Sequence, residues 1–237
     1  MSICKTLGVS VAIAFFPLGG CSDRSGSRVK KVAAETASES QSPKTPLQRR
    51  LERANAGDAA AQSDLGRMYA IGDGVPQNQA EGVKWYRLAA EQGNELAQYN
   101  LGVMYGTGLG VTQDYVEAYT WYRLAAEQGF APAQYNLGNW FDKGEGVPQD
   151  YVEAVKWYGL AAEQGLTLAQ YNLGLRLANG QGVPQDFIKA YAWLSVAAAG
   201  GYRDAPKYRD IIAGKLTPGQ LLQAQQRATE LFKTSAR

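Results

Sequence analysis

Residues 97–129 read AQYNLGVMYGTGLGVTQDYVEAYTWYRLAAEQG. Ala97, Leu101, Met104, Tyr105 and Gly108 fall at i, i+4, i+7 intervals, the spacing of one helical face turned to a core. The glycines at 106, 108 and 110 accept the left-handed backbone of a helix stop and a tight loop. Asp114 then stands where an N-cap belongs, and Glu117, three residues on, completes the pattern of a capping box. Ala118, Trp121 and Ala125 predict the buried stripe of a second helix, which Gly129 ends. The stretch reads as a helix–loop–helix hairpin with helices of about three turns.

The hairpin recurs. Leu-Gly returns at Leu65-Gly66, Leu101-Gly102, Leu137-Gly138 and Leu173-Gly174, and Trp returns at Trp85, Trp121, Trp157 and Trp193, always 36 residues apart. Ala61, Ala97, Ala133, Ala169 and Ala205 keep the same interval, as do Gly93, Gly129, Gly165 and Gly201. A fixed period of this size means stacked supersecondary units, because no single hairpin buries its own apolar face. Gly102 sits inside a helix, where glycine costs ~1 kcal/mol relative to alanine. Its return in every unit predicts that a neighbouring helix backbone approaches there. Small Ala125 and Ala126 are expected to face large Trp121 and Tyr105.

Ala97, Leu101-Gly102, Tyr105, Gly108, Gly110-Val111, Asp114, Ala118, Trp121, Ala125-Ala126 and Gly129, with their counterparts in the other units, resemble the Sel-1-like repeat family, a relative of the tetratricopeptide repeat. The resemblance runs from about Ala54 to Gly201. It implies an all-α fold, a right-handed α-solenoid of helix-loop-helix repeats, with four units over 53–201. Three departures stand out: Asn78 as the cap of the first unit, Lys189 in place of the capping-box acid of the fourth, and Thr112 where Pro76, Pro148 and Pro184 stand elsewhere. Beyond Gly201 the period fades. Ala205, Tyr208 and Ile212 predict one more first-type helix, and Thr217-Pro218 with Leu221, Ala224 and Leu231 predict a final amphipathic helix. Residues 202–237 are thus expected to cap the array.

In tetratricopeptide-type arrays ligands lie along an inner wall made by the first helices. Aligned on Leu101-Gly102, the uncovered positions of that wall are Tyr99, Val103 and Thr107, which share one helical stripe. Their counterparts are Ser63, Arg67 and Ile71; Tyr135, Asn139 and Lys143; and Tyr171, Leu175 and Asn179. The tyrosines repeat, whereas the other two positions differ in every unit. Variation on a near-copied scaffold fits a surface read by a partner, and equally fits drift at solvated sites. The expected partner is a protein or an extended peptide segment.

The amino terminus carries a different message. Lys5, the apolar run Leu7–Leu18 and the small residues before Cys21 make residues 1–20 an export signal too short to span a bilayer. Leu18-Gly19-Gly20-Cys21 resembles the bacterial lipobox, which implies that Cys21 is lipidated and that two or three acyl chains hold the protein firmly to a membrane. Asp23 stands one place beyond the position tied to inner-membrane retention, so the resemblance implies the outer membrane. Residues 21–52, rich in Ser, Thr, Lys and Glu, are expected to form a disordered tether.

Composition excludes much chemistry. The chain has no His and two Cys, which removes His-based catalysis, His-ligated metals and a four-thiolate zinc site. The net charge of +2 is too even for a generic nucleic-acid binder, and the acidic array between Arg53 and Gly201 repels phosphate. Gly72-Asp73-Gly74 follows a helix and lacks a Lys-Ser/Thr sequel, so it is a turn and not a phosphate loop. Asp114 with Glu117, and Asp150 with Glu153, have the spacing of helix caps before that of a glycosidase acid/base pair. The reading that results is a non-enzymatic interaction scaffold with no catalytic residue, cofactor or metal. A cell-wall glycan or muropeptide binder is the alternative, and a hydrolase using acidic residues alone is a distant third.

Overall fold

The computed structural model describes residues 43–235, which places Cys21 and the export signal outside the described residues. Eleven α-helices and no strand occur among the described residues. Four hairpins form the array: α2 (Ala59–Ile71) with α3 (Gln79–Glu91), α4 (Glu95–Thr107) with α5 (Tyr115–Glu127), α6 (Ala131–Lys143) with α7 (Tyr151–Glu163), and α8 (Thr167–Asn179) with α9 (Phe187–Ala199). Each helix packs on the next in sequence, which is the nearest-neighbour pattern of a solenoid. Helix α1 (Pro46–Asn55) precedes the array, and α10 (Ala205–Ala213) and α11 (Pro218–Ser235) follow it.

Helix α1 shortens the tether expected over 21–52. Gln48 N donates to Thr45 Oγ1 at 3.2 Å and Thr45 N donates to Gln48 Oε1 at 2.8 Å, a complete capping box with Pro46 in the first helical position. Leu47, Leu51 and Ala54 then supply an i, i+4, i+7 apolar face that packs with Ala61, Leu65 and Met68. The polar composition of the segment hides this one short stripe.

In each hairpin the first helix ends on a glycine with positive φ, such as Gly108 at 75°, where the Gly108 N–H donates back to Met104 O. The loop glycine two residues later, Gly110 (φ 74°), has a second duty: a Cβ there would collide with the Gln79 carbonyl of the preceding unit. Gly182 lies equally close to Tyr151 O. Loop glutamines hold the turn, with Gln77, Gln113, Gln149 and Gln185 Nε2 donating to Ala70, Gly106, Asp142 and Ala178 O.

The expected capping box of the second helices is only half present. Asp114 Oδ1 accepts from Val116 N and Glu117 N. The Asp114 N–H, however, donates to Tyr105 O at 3.0 Å, and Asn78, Asp150 and Asp186 N–H do the same with Tyr69, Phe141 and Leu177 O. No donor is left for the acid at the third helical position. Glu117 instead accepts from Trp121 Nε1, and Glu81 and Glu153 pair with Lys84 and Lys156. Lys189 therefore breaks nothing, and it pairs with the cap Asp186 at 3.2 Å.

The helix glycines do mark a close approach, but what enters the space is a side chain and not the backbone of the neighbouring helix. A Cβ on Gly66, Gly102 or Gly138 would stand 2.6, 2.9 or 2.5 Å from the ring of Tyr86, Tyr122 or Tyr158, and one on Gly174 would stand 2.8 Å from Leu194. These residues follow the tryptophans by one position, 100° round the helix. Trp85, Trp121 and Trp157 are half-buried at the edge of that contact, and only Trp193 is buried.

A buried glutamine ladder joins the units. Gln62, Gln98, Gln134 and Gln170 donate through Nε2 to the carbonyls of Ala54, Ala90, Ala126 and Ala162 at the end of the preceding helix. Gln92, Gln128 and Gln164 donate in turn to Gln62, Gln98 and Gln134 Oε1 at 2.7–2.8 Å. Buried amides and helix-end carbonyls are thus satisfied together, as burial demands. Gly200 stands where the fourth unit would need the next rung.

Helix α11 packs along α9. Ala192 and Val196 of α9 and Ala224 and Ala228 of α11 are buried. In the other units Ala192's place belongs to the exposed Lys84, Thr120 and Lys156. Alanine at that point gives α11 a surface to lie on.

Candidate functional site

The predicted stripe on the first helices divides into a framework column and an open column. Tyr99 packs against Tyr122 and Phe130, with centroids 5.8 and 5.3 Å apart, and Tyr135 against Tyr158 at 6.0 Å. Tyr171 lies 4.2 Å from the Tyr202 ring and 5.8 Å from Tyr208. It is only 8% exposed, and burial pushes its hydroxyl up to about 12. Tyr171 was expected on the open wall, and the rings of the following segment cover it. Ser63, its counterpart in the first unit, is buried as well, since so short a side chain does not reach past its neighbours. Both leave the open surface.

The middle position is intermediate. Val103, Asn139 and Leu175 are half-buried and Arg67 is exposed. Asn139 Oδ1 accepts from Tyr158 Oη at 2.7 Å and from Asn172 Nδ2 at 3.4 Å, so it ties α6 to α7 and α8. The Tyr158 hydroxyl is held well above the ordinary tyrosine range, chiefly by burial and then by the Asp142 carboxylate.

The open column consists of Arg67, Ile71, Thr107, Lys143 and Asn179, all exposed. Ile71 is 62% exposed, high for an aliphatic side chain. Arg67 pairs with Asp73 at 3.0 Å and Lys143 with Glu145 at 3.7 Å, both at solvated sites where such pairs are weak. Thr107 Oγ1 donates to Val103 O at 2.7 Å and Asn179 Nδ2 to Gln181 Oε1 at 3.5 Å. A cation, an aliphatic group, a hydroxyl and an amide thus occupy one geometric position in successive units.

Beneath this column lies a junction that sequence reasoning missed. Trp140 of α6 fills the space over Gly106 of α4, its indole 3.6 Å from where a Cβ would be. One unit on, the same places hold Arg176 and Asp142, paired at 3.1 Å and only 20% and 12% exposed. Trp140 meets the Tyr115 ring edge-on at 5.9 Å, and the Arg176 guanidinium lies 5.4 Å from the Tyr151 ring. The two junctions swap an indole on glycine for a guanidinium on a carboxylate while keeping the aromatic partner. The signal was available as two positions that change together while everything around them repeats.

The carboxylates with catalytic-looking spacing are occupied by capping. Asp150, like Asp114, accepts two helix N–H groups. No group of three or more His, Cys, Asp or Glu able to hold a metal occurs among the described residues. No helix among the described residues is long and apolar enough to cross a membrane.

A family model described as Sel1 repeat matches residues 59–94, 96–130, 131–166 and 167–202. The chain is similar to the crystal structure of a protective antigen present in uropathogenic Escherichia coli strains that displays an SLR fold, with 34% identity and a TM-score of 0.73 over 88% of this chain and 45% of that one. It is also similar to a Sel1 repeat protein from Oxalobacter formigenes, with 38% identity and a TM-score of 0.67 over 70% of this chain and 48% of that one. The chain therefore spans about half the length of these two proteins. No curated protein matches it.

Proposed function

Because this chain belongs to the Sel1-repeat family, whose members generally serve as protein–protein interaction scaffolds, we propose that it is a lipid-anchored scaffold of the bacterial envelope that holds a protein or an extended peptide segment along its first helices. The observation that carries the reading is the open column. Arg67, Ile71, Thr107, Lys143 and Asn179 are exposed and chemically different, while the glycine–tyrosine contacts and the glutamine ladder beneath them repeat almost unchanged. Rigid repeated support under variable side chains suits recognition of a segment several residues long. No residue is assigned a catalytic role.

The anchor in this reading is Cys21, acylated at the end of the lipobox-like sequence, with Ser22 and Asp23 directing the protein to the outer membrane and the array facing the periplasm. The experiment has two arms. Ile71→Asp, Thr107→Arg and Lys143→Glu together are expected to abolish capture of the proteins that the wild-type chain retains from solubilised envelopes, with an unchanged melting curve. Equal capture refutes the groove. Cys21→Ala is expected to release the protein from the membrane fraction and to stop incorporation of labelled palmitate. Retention of both refutes the anchor.

A further inference from the structure

The fourth unit departs from the other three in the slot above its helix glycine. Tyr86, Tyr122 and Tyr158 fill the slot above the helix glycine, whereas the fourth unit has Leu194. Opposite, the position of Asn139, which receives the Tyr158 hydroxyl in the third unit, is Leu175. The helix that closes this unit, α10, has nine residues where the other first helices have thirteen. A shorter side chain, a lost polar partner and a shortened neighbour coincide. A cavity of about 290 Å³ opens there, lined among others by Leu175, Leu194, Tyr208, Ile211, Asn179 and Lys215. Leu194 is fully buried at its floor, and Ile211 is 49% exposed. The Lys215 ammonium lies 5.0 Å from the Phe187 ring centroid and has no carboxylate partner among the described residues. It stands in a segment, Tyr202 onward, whose basic residues outnumber its acidic ones by four.

We propose that this cavity takes one bulky apolar side chain of the bound segment, and that an acidic side chain next to it in that segment pairs with Lys215. The proposal rests on the scaffold reading, since Asn179 is that column's member in the fourth unit and Leu175 holds the middle position one turn before it. Small-molecule pockets begin at about 300 Å³, so the space suits a single anchoring side chain and not a larger ligand. A buried apolar anchor beside a rim charge is how a segment is fixed in register on a long surface. Elsewhere in the array the rim cations Arg67 and Lys143 are already paired within their own units, whereas Lys215 meets the Phe187 ring and no carboxylate among the described residues.

The probe is a set of blocked peptides, Ac-Gly-Phe-Glu-Gly-NH2 and its Phe-Gln and Ala-Glu versions, titrated into the full-length protein and followed by NMR. The Phe-Glu peptide is expected to shift the signals of Leu175, Ile211 and Lys215. The Phe-Gln peptide is expected to bind about threefold to fivefold more weakly, as loss of an exposed ion pair dictates, and the Ala-Glu peptide at least ~10-fold more weakly, as loss of a buried ring dictates. Leu194→Tyr restores the residue of the other units and is expected to remove binding with the melting curve intact. Ile211→Glu, at the exposed rim, is expected to do the same by charge and does not depend on the core. Lys215→Gln is expected to erase the preference for Glu over Gln. Equal affinity for the three peptides, shifts confined to other residues, or undiminished binding by both Leu194→Tyr and Ile211→Glu overturns the proposal. Tighter binding of Ac-Gly-Gly-Phe with a free carboxylate overturns the internal acidic residue. Capture that still depends on Ile71, Thr107 and Lys143 in such a case leaves the scaffold reading standing.

Discussion

Gly138→Ala and Gly159→Ala make the same chemical change in adjacent helices and are expected to act in opposite directions. A methyl on Gly138 would stand 2.5 Å from Cδ1 and 2.6 Å from Cε1 of Tyr158, a ring with no exposed surface. The ring has no free space to move into, and its hydroxyl is bonded to Asn139 at 2.7 Å. Overpacking of this kind costs about 1–3 kcal/mol, and displacement of the hydroxyl adds about 1 kcal/mol. Better helix propensity returns about 1 kcal/mol. The net is a loss of about 2 kcal/mol, or a melting temperature lower by about 4–8 °C for a chain of this size. Gly159 has nothing within 4 Å of its missing Cβ and lies inside α7, so alanine there keeps only the propensity gain, a stabilisation of about 0.5–1 kcal/mol. Thermal and urea denaturation followed by circular dichroism at matched protein concentration measure both. A Gly138→Ala protein as stable as the parent, or equal shifts for the two variants, refutes the claim that these glycines exist to admit the neighbouring ring.

Three further outcomes follow from the same contacts. Gln134→Leu removes the buried bond to the Ala126 carbonyl, which keeps the Gly129 N–H, and the bond from Gln164 Nε2, and at about 0.5–1.5 kcal/mol for each bond is expected to cost about 1–3 kcal/mol; Gln170→Leu, which has no glutamine donor above it, is expected to cost less, and urea midpoints of the two rank them. Gly182→Ala meets the Tyr151 backbone of the preceding unit while Gly74→Ala meets only the end of the Met68 side chain at 3.6 Å, both from positive φ; calorimetry is expected to show the larger loss for Gly182→Ala, and equal losses mean the loops do not touch. Burial raises the hydroxyls of Tyr86 and Tyr171 from 10.0 to about 12, so the fold favours the neutral rings. The stability they lend is complete below pH 10 and is lost as pH rises toward 12, and a melting temperature that stays flat across that window contradicts the burial.

The period of 36 residues made the hairpins legible before any coordinates, because a solenoid repeats its contacts at the interval of its units. Asp114 and Gly108 could be placed as caps because each does one local job. At Gly102 periodicity shows that space is needed but not what fills it, and the ring of Tyr122 takes the place where a helix backbone is expected. The half-formed box at Asp114 escaped because its N–H is claimed by Tyr105 O, nine residues earlier and across a loop. Tyr171 and Asn139 were assigned to the open wall because helical spacing locates a face and not what the next unit lays over it. Gln98 and Gln134 repeat as faithfully as any core residue, yet a polar side chain carries no apolar signal, and only the carbonyls of Ala90 and Ala126 reveal why it is buried.

The central claim is that a partner lies along the variable column of the first helices. A photo-crosslinking amino acid placed singly at Thr107, Lys143, Lys156 and Glu163 in living cells tests it directly, since all four sites are exposed and the last two lie on α7, outside the column. Crosslinking of one and the same protein from Thr107 and Lys143, and not from Lys156 or Glu163, is the predicted result. Adducts that form from Lys156 and Glu163 while Thr107 and Lys143 remain silent contradict it.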